Sequence, residues 1–349
     1  MEQRVEATTV APPAPTASSR NWSEPIAFII MVALLAVAPL FIYPMFLMQA
    51  LCFALFACAF NLLIGYGGLL SFGHALYFGW ASYLAAHSAK VWGFPPELAI
   101  LTGMLTGTGL GIVAGALAIR RQGIYFAMIT LALAQMMFFF ALQLKFTGGE
   151  DGIQAVPRGK LFGLIDLSQP AQIGSKVIAL SENFFLTINL NSPGNMYWTV
   201  MVIFLAGFLL IYRVIHSPFG EVLKAIRENE PRAISLGYRT DRYKLLAFVL
   251  SATLAGLAGS TKAIVVQIAS LTDVDWPMSG EVVLMALVGG LGTVFGPVAG
   301  AFIVIAMQNY LAQVGQWVTV IQGVIFVLCV LLFRRGVIGE LAAFLRIRL

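Results

Sequence analysis

Charge is scarce in this chain. Of its 349 residues only 11% are Asp, Glu, Lys or Arg, whereas 59% are hydrophobic. A soluble domain carries about 25% charged residues, so a polytopic membrane protein is expected. Histidine is rare as well: His74, His87 and His216 are the three present, and they are scattered. No nucleophile–base pair, dinucleotide fingerprint or metal-ligand cluster is visible, so catalysis is not expected and no cofactor is called for. The three cysteines, Cys52, Cys58 and Cys329, all lie in apolar runs. They read as small core residues, not as a disulfide framework. The one Gly-Lys pair, Gly159–Lys160, is followed by Leu161, so a phosphate-cradling Gly-x-x-x-x-Gly-Lys-Ser/Thr loop is missing. No carboxylate stands mid-span, Glu281 being at a segment boundary, which argues against an ion-coupled carrier.

What the chain does have is apolar segments, near residues 25–43, 45–64, 75–92, 97–119, 123–143, 196–215, 244–265, 281–290, 297–313 and 316–333. The expected fold is therefore all-α and polytopic, with about ten crossings, glycine-broken helices and a small external loop subdomain. The segment at 281–290 is short for a crossing at 1.5 Å per residue. It must borrow the apolar stretch before it or the Gly-rich stretch after it. Basic residues cluster at Arg120 and Arg121, from Arg213 to Lys244, and from Arg334 to Arg348. With the N-terminus inside, all three clusters fall in the cytoplasm, as the positive-inside rule requires.

This divides the chain into a disordered cytoplasmic tail over 1–24, a membrane domain over 25–335 and a cytoplasmic tail over 336–349. The first segment is rich in Ala, Pro, Ser and Thr. A cleaved signal peptide over 1–38 is the competing reading, weakened by the long, weakly basic leader and by Pro39 after Ala-Val-Ala. The external loop, 145–195, opens with TGGEDGIQ and mixes Pro, Gly and short apolar runs. It is expected to hold a short strand pair or helix.

Two glycine-rich breaks interrupt the pattern, GYGGLLSFGH from Gly65 to His74 and VGGLGTVFGP from Val288 to Pro297. Both contain Gly-Gly-Leu followed by Phe-Gly. Paired breaks in corresponding halves point to an internal repeat and to a site built from discontinuous helices. The simpler reading is that the glycines permit close helix packing. The candidate pathway residues are Gly67, Gly68, Ser71, Gly73, His74, Gly289, Gly290 and Thr293. Ser71 and Thr293 can bond a zwitterion. His74 either contacts substrate or freed carbonyls, or caps a helix. Asn61 and Gln135 read as interhelical hydrogen bonders. Lys262 either snorkels or pairs with Asp273 or Asp275.

The most distinctive stretch is a charged island, Ser217–Lys244, between two apolar segments. Pro218 suits a first helical turn. Phe219, Val222, Leu223 and Ile226 then recur at i, i+3, i+4 and i+7 as one apolar stripe. Pro231 ends that helix and begins a second, with Asn229 or Glu230 as cap, and Gly237 suits its C′ position. Two short surface helices are expected in a cytoplasmic loop over 216–243. Such an element either lies on lipid headgroups or docks a soluble partner. Its mixed charge favours the partner, since a lipid anchor is mostly Lys and Arg.

Glu230-Pro-Arg-Ala-Ile-Ser-Leu-Gly237 resembles the Glu-Ala-Ala-x-x-x-Gly coupling loop of ABC importer permeases, departing from it at Pro231 and Arg232 ahead of Ala233. Together with Pro218-Phe-Gly, Ala225-Ile-Arg-Glu-Asn-Glu230, GYGGLLSFGHALYFG, TGGxxGI, Lys244-Leu-Leu-Ala-Phe and GGLGTVFGPVAGA, it resembles the branched-chain amino acid permease family over about residues 45 to 335. The resemblance implies an importer of two permeases and two ATPase subunits in a bacterial cell membrane, fed by a soluble extracytoplasmic binding protein, with a homologous second permease. It further implies that Phe219, Val222, Leu223 and Ile226 fill a groove on the ATPase, while Arg227, Glu228, Glu230 and Arg232 set orientation at its rim, with Ala233 and Gly237 completing the loop. Branched-chain amino acids are the expected cargo; urea, short amides and aromatic acids remain alternatives within the family.

Overall fold

A computed structural model describes residues 23–121, 123–161, 163, 165–167, 194–311, 318–332 and 336–344. The tail expected over 1–24 lies almost wholly outside the described residues, as do 168–193 of the external loop, Arg334 and Arg335.

Each expected apolar segment coincides with a helix. These are α1 Ser23–Val37, α2 Pro44–Asn61, α3 His74–Lys90, α4 Pro96–Ala118, α5 Ile124–Gln143 and α6 Asn195–Ile215, then, after α7 Pro218–Glu228 and α8 Glu230–Ser235, α9 Thr240–Val266, α10 Trp276–Gly289, α11 Gly296–Leu311 and α12 Val318–Leu332; α13 Gly336–Phe344 closes the described chain. Among the described residues, five stretches are long and apolar enough to cross a membrane: Pro44–Tyr66, Pro96–Ala118, Ile124–Gln143, Asn195–Ile215 and Thr240–Val266. The short segment at 281–290 gains its length from residues before it, because Pro277 sits in the first turn of α10, where its missing N–H costs nothing.

α2 and α9 form the centre. α2 is buried almost throughout and touches α6, α9, α10 and α11, while α9 packs on α3 and α4. Small residues permit this. Gly103, Gly107 and Gly111 recur every fourth position on α4, and their backbones lie against Ser260, Gly256 and Ala252 of α9. Without a hydrophobic drive between helices in lipid, such close backbone approach supplies the contact. Gly259 of α9 meets the Phe78 carbonyl of α3 so closely that a Cβ would overlap it. α5 is the opposite case, with Ile124, Tyr125, Met128, Phe139 and Phe140 exposed on its surface, as expected of a lipid-facing helix.

The described part of the 145–195 loop takes part in two short strand pairings. β1 (Ile153–Gln154) pairs antiparallel with β4 (Ile268–Ala269), just beyond α9, and β2 (Lys160–Leu161) with β3 (Ile165–Asp166). Arg158 Nη2 donates to the Val265 carbonyl (2.9 Å) and Lys90 Nζ to the Gln154 carbonyl (2.8 Å), fastening the loop to the ends of α9 and α3. Below it, Lys262 and Asp273 form a buried ion pair at 2.6 Å. Of the two fates open to Lys262, pairing is the one adopted.

Candidate functional site

The charged island folds as its residues demand. The Ser217 hydroxyl accepts from Gly220 N at the start of α7, and Asn229 Oδ1 accepts from Arg232 N (3.1 Å) at the start of α8. Gly237 ends the second helix with φ of +88°, a conformation that costs a residue with a Cβ. α7 lies against the chain itself. Leu223 and Ile226 are buried, Phe219 stacks on Tyr243 with ring centroids 5.6 Å apart, and Val222 is half-buried. Of the stripe expected to fill a partner's groove, Leu223 and Ile226 thus pack into the chain's own interior, while Phe219 and Val222 stay partly open. Glu230 is turned inward as well, since Lys244 Nζ reaches its Oε1 at 2.5 Å. Arg232 and Glu228 are exposed, Ala233 is buried, and Ile234, Leu236 and Tyr238 stand out from α8 and the turn after it, Leu236 being 70% exposed. Sequence reasoning did not single out these three residues.

The first glycine break begins as an unwinding. α2 widens into a π-type turn over Leu62–Tyr66, and the chain then doubles back so that His74, at the start of α3, lies beside Phe60, their rings 5.0 Å apart. Gly68, at φ +68°, makes the reversal possible. The second break is the tight turn of a helical hairpin: Gly289 abuts the Gly296 carbonyl, and Gly300 the Met285 carbonyl, where Cβ atoms would overlap. Thr293 caps α11, its hydroxyl donating to the Gly290 carbonyl (2.8 Å) and accepting from Gly296 N (3.1 Å).

The two breaks meet through one side chain. Asn61 Nδ2 donates to the Thr293 carbonyl (2.9 Å), and Asn61 Oδ1 accepts from Gly292 N (3.0 Å). The amide therefore reads the backbone of the second break much as another strand would, across 231 residues of sequence. Arg227 supplies the third contact: from α7, its Nη1 donates to the Gly65 carbonyl, which the π-type turn has freed, and its stem lies against Gly68. Glu221 takes Lys224 as its partner (2.9 Å). The charged element is in this way hydrogen-bonded to the first break at Gly65, and the second break to Asn61, four residues earlier on the same stretch of chain.

The deeper residues of the first break are sealed. Ser71 and His74 are fully buried. Ser71 Oγ accepts from Gly73 N (3.3 Å), while His74 Nε2 meets Ser251 Oγ (2.8 Å), which donates to the Ala59 carbonyl (2.5 Å). The imidazole thus ties α3 to α9 and α2 and is surrounded by Phe60, Tyr77 and Phe248. A cavity of about 430 Å³ lies beside the breaks, lined by Glu24, Tyr66, Ile215, His216, Lys224, Arg227, Glu228, Gly292 and Val294. None of Gly67, Gly68, Ser71, Gly73, His74, Gly289, Gly290 or Thr293 lines it. Among the described residues no group of three or more His, Cys, Asp or Glu could hold a metal ion.

A bundle of apolar helices with buried irregular turns and a charged two-helix element on its surface is the build of a multi-pass membrane protein. Residues 42–331 match the family described as branched-chain amino acid transport system, permease component, and the chain belongs to that family. It is 25% identical to the high-affinity branched-chain amino acid transport system permease protein LivM of Escherichia coli (strain K12), over 80% of this chain, and equally to LivM of Salmonella typhimurium. The match spans 65% of the length of each of these relatives. The autoinducer 2 import system permease protein LsrC of Klebsiella pneumoniae is 28% identical over 58% of this chain and 53% of its own length. No solved structure matches the chain.

Proposed function

We propose that the chain is the membrane-spanning permease subunit of an ATP-driven importer of branched-chain amino acids, working by alternating access. Two ATPase subunits, a homologous second permease and a soluble binding protein complete the assembly. All ten apolar helices cross a bacterial cell membrane, the two breaks sit in halves related by an internal repeat, and both termini and the 216–243 element are cytoplasmic, with 145–195 outside. The contacts of Arg227 with Gly65 and of Asn61 with Gly292 and Thr293 carry this reading, because they connect the surface element to the broken helices that must move.

In this mechanism an ATPase docks on the outward side of α8, on Ile234, Leu236 and Tyr238, with Glu228 and Arg232 setting orientation. Glu230 and Gly237 hold the shape of the loop, and Phe219, Leu223 and Ile226 weld α7 to the bundle. When the ATPase pair closes, α7 moves as a rigid body and Arg227 pulls on the Gly65 carbonyl. Gly67, Gly68 and Gly290 absorb the change of backbone angle, and Asn61 passes it to the hairpin of α10 and α11. Ser71, Gly73, His74, Gly289 and Thr293 act as packing and capping residues beside the path, joining it only in a state where the helices have rocked apart. The likeness to an autoinducer 2 import system permease supports a second reading, in which the cargo is of the autoinducer 2 kind.

The test is affinity capture of the tagged chain from its native membrane in mild detergent, with co-purifying proteins identified by mass spectrometry. An ATPase pair should appear, and fall at least tenfold in an Ile234→Asp/Leu236→Asp variant of unchanged thermal stability. Recovery of the chain alone, with leucine uptake intact, would overturn the proposal.

A further inference from the structure

The cavity of about 430 Å³ is not used by the mechanism above. It lies where the end of α6, the charged face of α7, the π-type turn and the second break converge, and its volume is in the range of small-ligand pockets, about 300–1,000 Å³. Its lining carries both signs of charge on different elements. Glu24 belongs to α1 and is held against α6: the Tyr212 hydroxyl donates to its Oε2 (2.8 Å), and His216 Nε2 approaches the same oxygen (3.2 Å). Arg227 and Lys224 belong to α7. Arg227 spends one donor on the Gly65 carbonyl, and a guanidinium has five N–H donors, so others remain for a carboxylate. Lys224 lies 5.9 Å from the Tyr66 ring centroid and gives one of its three ammonium donors to Glu221 (2.9 Å), which leaves two. Ile215, Val294 and the Tyr66 ring supply apolar wall.

A plain anion would meet Glu24 and Glu228 in this space; a plain cation would meet Arg227 and Lys224. The lining complements a molecule with an ammonium, a carboxylate and a short apolar side chain. We propose that this cavity binds a free zwitterionic amino acid, its carboxylate on Arg227 and Lys224 and its ammonium on Glu24, and that occupancy restrains α7 against the breaks. Resting on the importer reading for the side it faces, the site is a product sensor: imported amino acid, once it accumulates inside, slows further import.

The probe is radiolabelled leucine, in equilibrium binding to the full chain, with its co-purifying partners, in lipid nanodiscs and without binding protein. Saturable binding is expected, displaced by other zwitterionic amino acids but not by 4-methylpentanoate or 3-methylbutylamine, which lack one charge each. Glu24→Gln and Lys224→Gln should each weaken it at least tenfold, with thermal midpoint and unloaded uptake unchanged. In proteoliposomes, leucine preloaded on the side of the charged element should slow ATP-driven uptake several-fold in the native chain and not in the variants. Absence of saturable binding, binding unaltered in both variants, or displacement by 4-methylpentanoate as effective as by leucine would each overturn the site. Saturable, variant-sensitive binding in vesicles that import no leucine would support the site and remove the importer reading instead.

Discussion

Asn61 is the residue whose loss should be felt most cleanly. Its side chain is buried at 3% exposure and makes two hydrogen bonds, to the Thr293 carbonyl and from Gly292 N. Interhelical hydrogen bonds inside membrane proteins contribute about 0.6 kcal/mol on average and about 1.7 at most. Asn61→Ala removes two and leaves a backbone donor and acceptor behind, each costing about 1–3 kcal/mol where water is excluded. Gly292 and Thr293 are only half-buried, so water recovers part of that cost, and a loss of about 1–3 kcal/mol is expected. Asn61→Asp keeps the shape and the acceptor for Gly292 N but sets an oxygen against the Thr293 carbonyl, so it should cost at least as much as alanine. Unfolding by SDS titration in mixed micelles reads both variants. An aspartate variant as stable as the native chain, beside a destabilised alanine variant, would show that the Thr293 bond contributes nothing and would break the proposed bridge between the breaks.

Two further perturbations probe the packing that positions the site. Lys262→Met strands Asp273 as a buried unpaired charge and should cost about 3–5 kcal/mol, whereas Lys262→Met/Asp273→Leu should cost far less, because an apolar pair replaces an ion pair that desolvation had made expensive; SDS titration of the single and double variants checks this, and equal losses would contradict it. Gly259→Leu forces a side chain into the Phe78 carbonyl and should abolish recovery of folded chain on size-exclusion chromatography, while Gly109→Ala, at a position facing open space, should leave recovery unchanged.

Much of this architecture was legible in local chemistry. Long apolar runs fix helices because lipid offers the backbone no other partner, so all ten apolar segments emerge as helices. Ser217, Pro218, Asn229 and Gly237 act on their nearest neighbours, and each performs the capping or terminating task its residue type implies. The short strand pair of the 145–195 loop and the pairing of Lys262 were within reach for the same reason. What escaped depends on contacts distant in sequence. The apolar stripe of α7 was visible, yet periodicity does not say whether a stripe faces its own chain or another. Leu223 in fact meets the bundle near Gly67. Likewise Ser71 and Thr293 looked available to a ligand, but their hydroxyls are occupied by Gly73, Gly290 and Gly296. The glycines hid two different tasks under one motif: reversal after a π-type turn at Gly68, and close contact in a hairpin at Gly289. Asn61 could be recognised as a polar residue in need of a partner; that the partner is the backbone of the second break required the fold.

In the proposed importer, α7 passes the work of an ATPase to the glycine breaks through Arg227. The most direct measurement is ATP hydrolysis and leucine uptake, recorded together in proteoliposomes holding the assembled complex, for native chain and Arg227→Gln. The variant should assemble and hydrolyse ATP at a rate within about threefold of native, while leucine imported per ATP falls at least tenfold, a loss of about 1.4 kcal/mol or more of coupling. Uptake per ATP unchanged in a properly assembled Arg227→Gln complex would contradict it.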